Sequence, residues 1–319
     1  MSYAQFGLIQ ASDYNTFVGG NPTTTTNTLN AVWAVGGAGA GYGQTAAANV
    51  SVGQTVAASN WATLVSNTAS AASHQGSSIT SVTAPVAGGQ VTYLSAIPTN
   101  LTTIYTNRGN AAAQGSTSAN TVTRGTTWSD SVTFTHTVTF ANGDAARYFF
   151  NAGGQIKMTF SAPGGTAPDN IFSNLAIDCG TIVISGQSSG TRTIVGTSYN
   201  GVTKVGGGGN TPTVLSNNSG YLAQTTSNVS IFKQTANTAV PAYVGSFIEV
   251  ITKTNGTQGS NGDTGSVYTI YSIWDEVPPG NTQVIASGTA TTCTVVPPST
   301  TNIANSWGTI SIAGSQTGS

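Results

Sequence analysis

The chain has 319 residues, with 8 Lys and Arg against 9 Asp and Glu, so its charged fraction of 5% stands far below the roughly 25% of an ordinary soluble domain. Thr, Ser, Asn and Gly interrupt every apolar run before it reaches the ~18 residues of a spanning helix, so no membrane insertion is expected. Disorder is excluded by 38% hydrophobic residues with a net charge of −1, and nucleic acid by the lack of clustered cations to neutralise phosphates.

A surface of hydroxyls and amides with little charge repulsion favours association, as in a subunit kept in a permanent assembly. Cys179 and Cys293 are too few for a disulfide framework. The opening MSYAQFGLIQASDY has neither the basic nor the apolar region of a cleavable signal, which predicts a product made in the cytoplasm.

Up to Asn107 the only formal charge is Asp13. This segment contains a self-similarity, IQASDYNTFV at 9–18 against VAASNWATLV at 56–65. Ser12 and Ser59 are expected N-caps, each opening a helix. After Ser59, the positions Trp61, Leu64, Val65, Ala69 and Ala72 keep helical spacing, and Gly76 can stop the helix in a left-handed conformation. A third helix is predicted over Pro98 to Ala112. The glycine-rich AVGGAGAGYGQ joins the two copies.

From about Thr117 the period changes to two. In SVTFTHTVTF, the residues Val132, Phe134, His136, Val138 and Phe140 share one face and threonines fill the other, the pattern of a half-buried antiparallel strand. GDAARYFFNAGG predicts a short helix ended by Gly153, QIKMTFSA a strand, and PDNIFSNLAIDCG a helix with Pro168 in its first turn. Strands are predicted at Thr181 to Ser185, Thr191 to Thr197, Val229 to Thr235, Tyr243 to Thr254 and Ser266 to Asp275. VPPGNT breaks the series, and strand-like pieces follow at Gln283 to Ser287, Ala290 to Val296 and Gly308 to Ala313. The expected fold is mainly β: an antiparallel β-sandwich over 117–278, a small helical N-terminal docking module over 1–85, a helical connector over 86–116, and a strand-forming C-terminal tail over 279–319 that adds to the sandwich or to a neighbouring subunit.

Few residues suggest chemistry. His74 and His136 have no Cys or carboxylate at ligand spacing, so both read as structural and no metal or cofactor is expected. The glycines at 206–209 read as a loop, because Lys204 precedes them and Pro212 follows where a phosphate-binding helix would open. The best acid–base pair is Glu249 with Asp275 or Glu276. In a hairpin centred near Ser260, however, Glu249 faces Tyr271 and Asp275 lies roughly 13 Å away, beyond the ~5–9.5 Å of a glycosidase. No catalytic residues are therefore expected. Asp144 and Arg147, three apart, read as a solvated ion pair. Tyr268 and Trp274 share a strand face with Ile270; they read first as core and second as a glycan-stacking platform.

The runs SDYNTFV, GYGQT, VAASNWATLV and SHQGSS, then WSDSVTFTHTVTFANGDAARYFFNAGGQIKMTFSA, then SVYTIYSIWDEVPPG together span most of the chain. In them the sequence resembles a family of virion structural proteins, often labelled tail-fibre-like, of contractile-tailed phages that infect marine cyanobacteria and of related phages. ARYFFNAGG with the preceding Trp128 is the most specific element. The resemblance implies a non-enzymatic part of a phage particle, located in the virion, with other virion proteins or further copies of itself as partners. It supplies no residue-level site. Heptads, a Gly-x-y period and a β-helix repeat are all missing, so a collar, neck, baseplate or tail-decoration subunit fits as well as a fibre. A carbohydrate-binding receptor module, meeting a host surface glycan, is the alternative.

Tyr14, Trp33, Tyr42 and Trp61 are more aromatic surface than a module of this size is expected to bury, which makes them the candidate assembly interface. The competing arrangement packs the two repeated helices on each other. On the interface reading, deletion of residues 1–76 leaves a folded sandwich that no longer joins the particle.

Overall fold

The computed structural model describes residues 10–23, 25–35, 40–87, 95–187, 190–216, 220–236, 243–277 and 283–318. The proline break at 278–282 and part of the glycine-rich connection thus lie outside the described residues. Five helices occur among those described: α1 (Ala11–Val18), α2 (Ala58–Gln75), α3 (Ala96–Thr106), α4 (Gly143–Asn151) and α5 (Ala167–Cys179). The strands are β1 (Ser118–Thr123), β2 (Ser131–Thr139), β3 (Gln155–Ser161), β4 (Thr181–Ile184), β5 (Arg192–Ile194), β6 (Thr197–Tyr199), β7 (Val202–Val205), β8 (Val214–Leu215), β9 (Val229–Thr235), β10 (Phe247–Thr254), β11 (Val267–Asp275), β12 (Ala290–Val296) and β13 (Ser311–Gly318).

The fold is mainly β, with antiparallel pairing throughout two large sheets in a sandwich-like arrangement, a helical N-terminal part and a C-terminal strand. One sheet runs β1-β12-β3-β4-β7 and the other β13-β2-β11-β10-β9-β8. Alternation sets the faces. Along β2 and β11 every second residue is buried, so Val132, Phe134, His136 and Val138 point into the core with Tyr268, Ile270, Ser272 and Trp274. The intervening Thr133, Thr135, Thr137 and Thr139 form an outer ladder.

The helix α5 lies between the layers. Its Phe172 ring stands 6.0 Å from Trp274 of one sheet and 5.0 Å from Trp128, whose Nε1–H donates to Thr289 Oγ1 at 2.9 Å. The helix packs against β3 on one side and β9 and β10 on the other. Its start is fixed by Asp169, which accepts from the N–H and hydroxyl of Thr166, and Pro168 occupies the first turn as expected.

The C-terminal tail is not an appendage. β12 pairs with β1 on one side and β3 on the other, and β13 pairs with β2 along its whole length. The 117–278 boundary therefore omits a central strand. Alternation identifies β12 as a strand, but its slot between β1 and β3 is set by long-range pairing that no local pattern encodes.

The helical N-terminal part is also built into one continuous core with the sheets. His74 Nε2 lies 3.0 Å from the Ala152 carbonyl, Asn151 donates to Gly41 O at 3.0 Å, and Arg147 donates to Val35 O at 3.1 Å. At Gly43, whose φ is +70°, a Cβ would stand 2.3 Å from the Tyr148 ring, so only glycine allows this approach. The expectation of a separable docking module with a self-sufficient sandwich gives way to this shared core. The N-caps also move: α1 follows Gln10 and α2 follows Ala57, not Ser12 and Ser59. Asp13 and Asn60, equivalent in the repeat, each turn a side-chain oxygen back onto the N–H of residue 10 or 57 at 2.9 Å.

Candidate functional site

The four aromatic residues of the expected assembly interface are buried within the chain. Tyr14, Tyr42 and Trp61 are at most 2% exposed and Trp33 is 9% exposed. Tyr14 meets Trp61 edge-on with ring centroids 5.4 Å apart, and its hydroxyl donates to Asn60 O at 3.2 Å. The repeated helices thus meet through their rings, which is the competing arrangement. Burial pushes the Tyr14 hydroxyl up to about 12. Tyr42 donates to Arg108 O at 2.8 Å and accepts from Gln75 at 2.9 Å. The module is not free-standing, because α4 and the 303–307 segment cover it: Gln44 exchanges two hydrogen bonds with Ala304, at 2.9 and 2.8 Å.

Tyr268 and Trp274 are fully buried between the sheets, so neither forms an exposed glycan platform. The β11 ring that does face outward is Tyr271, half-buried on the outer side of the six-stranded sheet. Lys253 Nζ lies 5.7 Å from its centroid, and its cross-strand neighbours are Thr135 and Ile251. The same strand parity that buries Tyr268 and Trp274 identifies Tyr271.

The carboxylates need a correction of register. Glu249 pairs with Ile273, not Tyr271, and Asp275 pairs with Phe247. Glu249 and Asp275 are thus diagonal neighbours on one face, about 7–8 Å apart by strand geometry, within the spacing that the shifted hairpin had placed out of reach. The pairing centres on Asn261 instead of Ser260, and across the turn Asn255 Oδ1 accepts from Ser266 and Val267 N–H, both at 2.9 Å. Lys233 stands directly opposite Glu249, 3.6 Å away. Desolvation, then the charge of Asp130, raises Asp275, while Lys233 opposes the shift. Both carboxylates sit on the solvent side of a sheet rather than in a cleft.

The remaining polar residues serve the fold. Asp144 and Arg147 do pair, at 2.8 Å, but only the Asp144 side chain meets solvent, at 35% exposure, while that of Arg147 is fully buried and reaches beneath the N-terminal segment. His136 Nε2 lies 2.9 Å from Thr291 Oγ1. Burial lowers both His74 and His136 to about 4, leaving neutral imidazoles at pH 7. Burial raises the Cys293 thiol to about 12 and Cys179 higher still, so neither is a ready nucleophile. The glycine loop after β7 wraps the end of α5: a Cβ at Gly207 would meet Asp178 O at 2.4 Å, and one at Gly209 would meet its carboxylate at 2.3 Å. A carboxylate in that position makes the loop a poor anion cradle. A cavity of about 340 Å³ opens between α2, α3 and residues 77–82, walled by Leu64, Ala72, Ile79 and Ile97 with Thr68 and Asn100 at its edge. None of its lining side chains titrates. Among the described residues no group of three or more His, Cys, Asp and Glu is arranged to hold a metal ion, and no helix is long and apolar enough to cross a membrane.

No protein-family model matches the chain, and no match is found among curated proteins or solved structures.

Proposed function

We propose that the chain is a non-enzymatic structural subunit of a phage particle, tail-associated as collar or neck, baseplate, tail decoration or fibre. The observation that carries this reading is the division of chemistry between core and surface. Large rings and the Arg147 guanidinium lie inside, while the long strands turn threonine and serine outward. Such a surface, on a chain with 5% charged residues, suits a subunit fixed among neighbours. The resemblance in ARYFFNAGG adds support, since α4 carries this segment to the junction of the helical part and the sheets. Mass spectrometry and cryo-electron microscopy of the purified source particle test the proposal. A stoichiometric subunit in the tail or neck is expected; absence of the chain from intact particles refutes it.

The alternative is a carbohydrate-binding module at a fibre tip. The outward Tyr271 with Lys253, beside the threonine ladder of β2, supports it. A glycan array separates the readings: selective binding lost in Tyr271→Ala favours the receptor module. Polysaccharide cleavage lost in Glu249→Gln or Asp275→Asn would overturn the non-enzymatic assignment.

A further inference from the structure

Each large sheet has two edges, and natural sheets protect theirs with charge, proline, bulges or short strands. At one side of this sandwich the edge strands are β7, of four residues, and β8, of two. Short strands offer little to pair with. At the other side stand β1, of six residues, and β13, of eight. Neither contains a charge or a proline, and neither has a bulge in its pairing. Among the described residues β1 makes ladder bonds only to β12 and β13 only to β2, so each strand has one side with no strand paired to it.

These two edges adjoin. A Cβ at Gly314 would stand 2.3 Å from Val122 Cγ2 and 2.4 Å from Asn120 Oδ1, so the β13 backbone rests on β1 side chains. Arg124 fastens the pair, donating to Gln316 Oε1 at 2.7 Å and Gly318 O at 3.1 Å. The edge is therefore already ordered and needs no folding on contact. Val122 and Ile312 touch the core but stay half-covered, which marks this as the open end of the apolar interior.

We propose that the β1/β13 side is a self-association surface, where a second copy of this chain pairs antiparallel, β13 against β13, about a two-fold axis normal to the sheet. The two β1 strands then stand edge to edge in the other layer. Chemistry selects a second copy. The two strands themselves carry no charge to attract a charged strand, and the neighbouring Arg124 is engaged within the chain by Gln316 and Gly318, whereas β13 matches itself. Centred on Ser315, the pairing sets Ser315 opposite Ser315 and Ala313 opposite Thr317, all small and outward, with no like charges brought together. The added strands cover Val122 and Ile312. This contact does not depend on the virion assignment, because a dimer in solution would form from the isolated chain.

The test uses the full chain in sedimentation over a wide concentration range, with Ser315→Cys treated with a short bis-maleimide. The native thiols at Cys179 and Cys293 are buried and do not compete. A monomer–dimer equilibrium is expected, weakened at least tenfold by Ala313→Lys with Ser315→Lys at unchanged circular dichroism. Cross-linked pairs are expected from Ser315→Cys but not from Ser198→Cys on the exposed β6. A chain monomeric at every concentration overturns the proposal. So does an oligomer, of any size, that keeps its affinity in the lysine variant or gives no cross-link through position 315.

Discussion

His136 stands where four strands converge: it lies on β2, bonds to Thr291 on β12, and faces Asn120 of β1 and Gly314 of β13. Burial there favours the neutral ring. Its folded-state value of about 4, like that of His74, is below the ordinary 6.5. Above pH 6.5 neither the folded nor the unfolded imidazole is charged. As pH falls from 6.5 towards 4 the unfolded chain takes up protons that the folded chain refuses, so stability is lost across that window. The loss is on the order of 3 kcal/mol per imidazole. Urea unfolding at pH 7 and pH 4.5 should show it, and His136→Gln should remove about half of the pH dependence, because the amide can still reach Thr291 without titrating. Asp169 works in a lower window: despite desolvation, bonds from Ala286 N–H and Thr166 hold it below its ordinary value, so its contribution is lost only in stronger acid. The structural role of His136 was legible in the period-two pattern around it. The burial of Arg147 was not, because three-residue spacing reports a pair but nothing about the distant segment that covers it.

At the scale of elements, α5 shows what one amphipathic pattern can and cannot say. Leu175, Ala176 and Cys179 follow Phe172 at spacings of three, four and seven, the pattern of one buried helix face, and all four are buried. The pattern does not say that this face meets two sheets at once. Phe172→Ala should therefore open a cavity against Trp128 and Trp274 and cost about 3–5 kcal/mol in chemical denaturation. Ile177→Ser on the same helix, where Ile177 is 65% exposed, should change stability by less than about 0.5 kcal/mol. Strand existence was likewise readable from alternation, and β9 and β12 have their expected bounds. The register of β10 on β11 was not, since alternation alone does not say whether the hairpin centres on Ser260 or Asn261, and that one-residue shift moves the partner of Glu249 from Tyr271 to Ile273.

At the scale of the whole molecule, the buried seam between the helical part and the sheets makes the chain one cooperative unit. Deleting residues 1–76 removes the partners of Ala152, Tyr148 and Asn151 and exposes the rings beneath. The expected outcome is loss of the cooperative urea transition and gain of binding to a hydrophobic dye; a truncated chain that unfolds as sharply as the full one would contradict the shared core. The position of β12 carries a consequence for how the molecule is made. β1 and β3 emerge from the ribosome early, yet the strand that joins them is among the last to be synthesised, so their facing edges remain open while most of the chain is still being added. Throughout that interval any passing strand can take the vacant slot, and crowded polysomes producing this protein are where misassembly would concentrate.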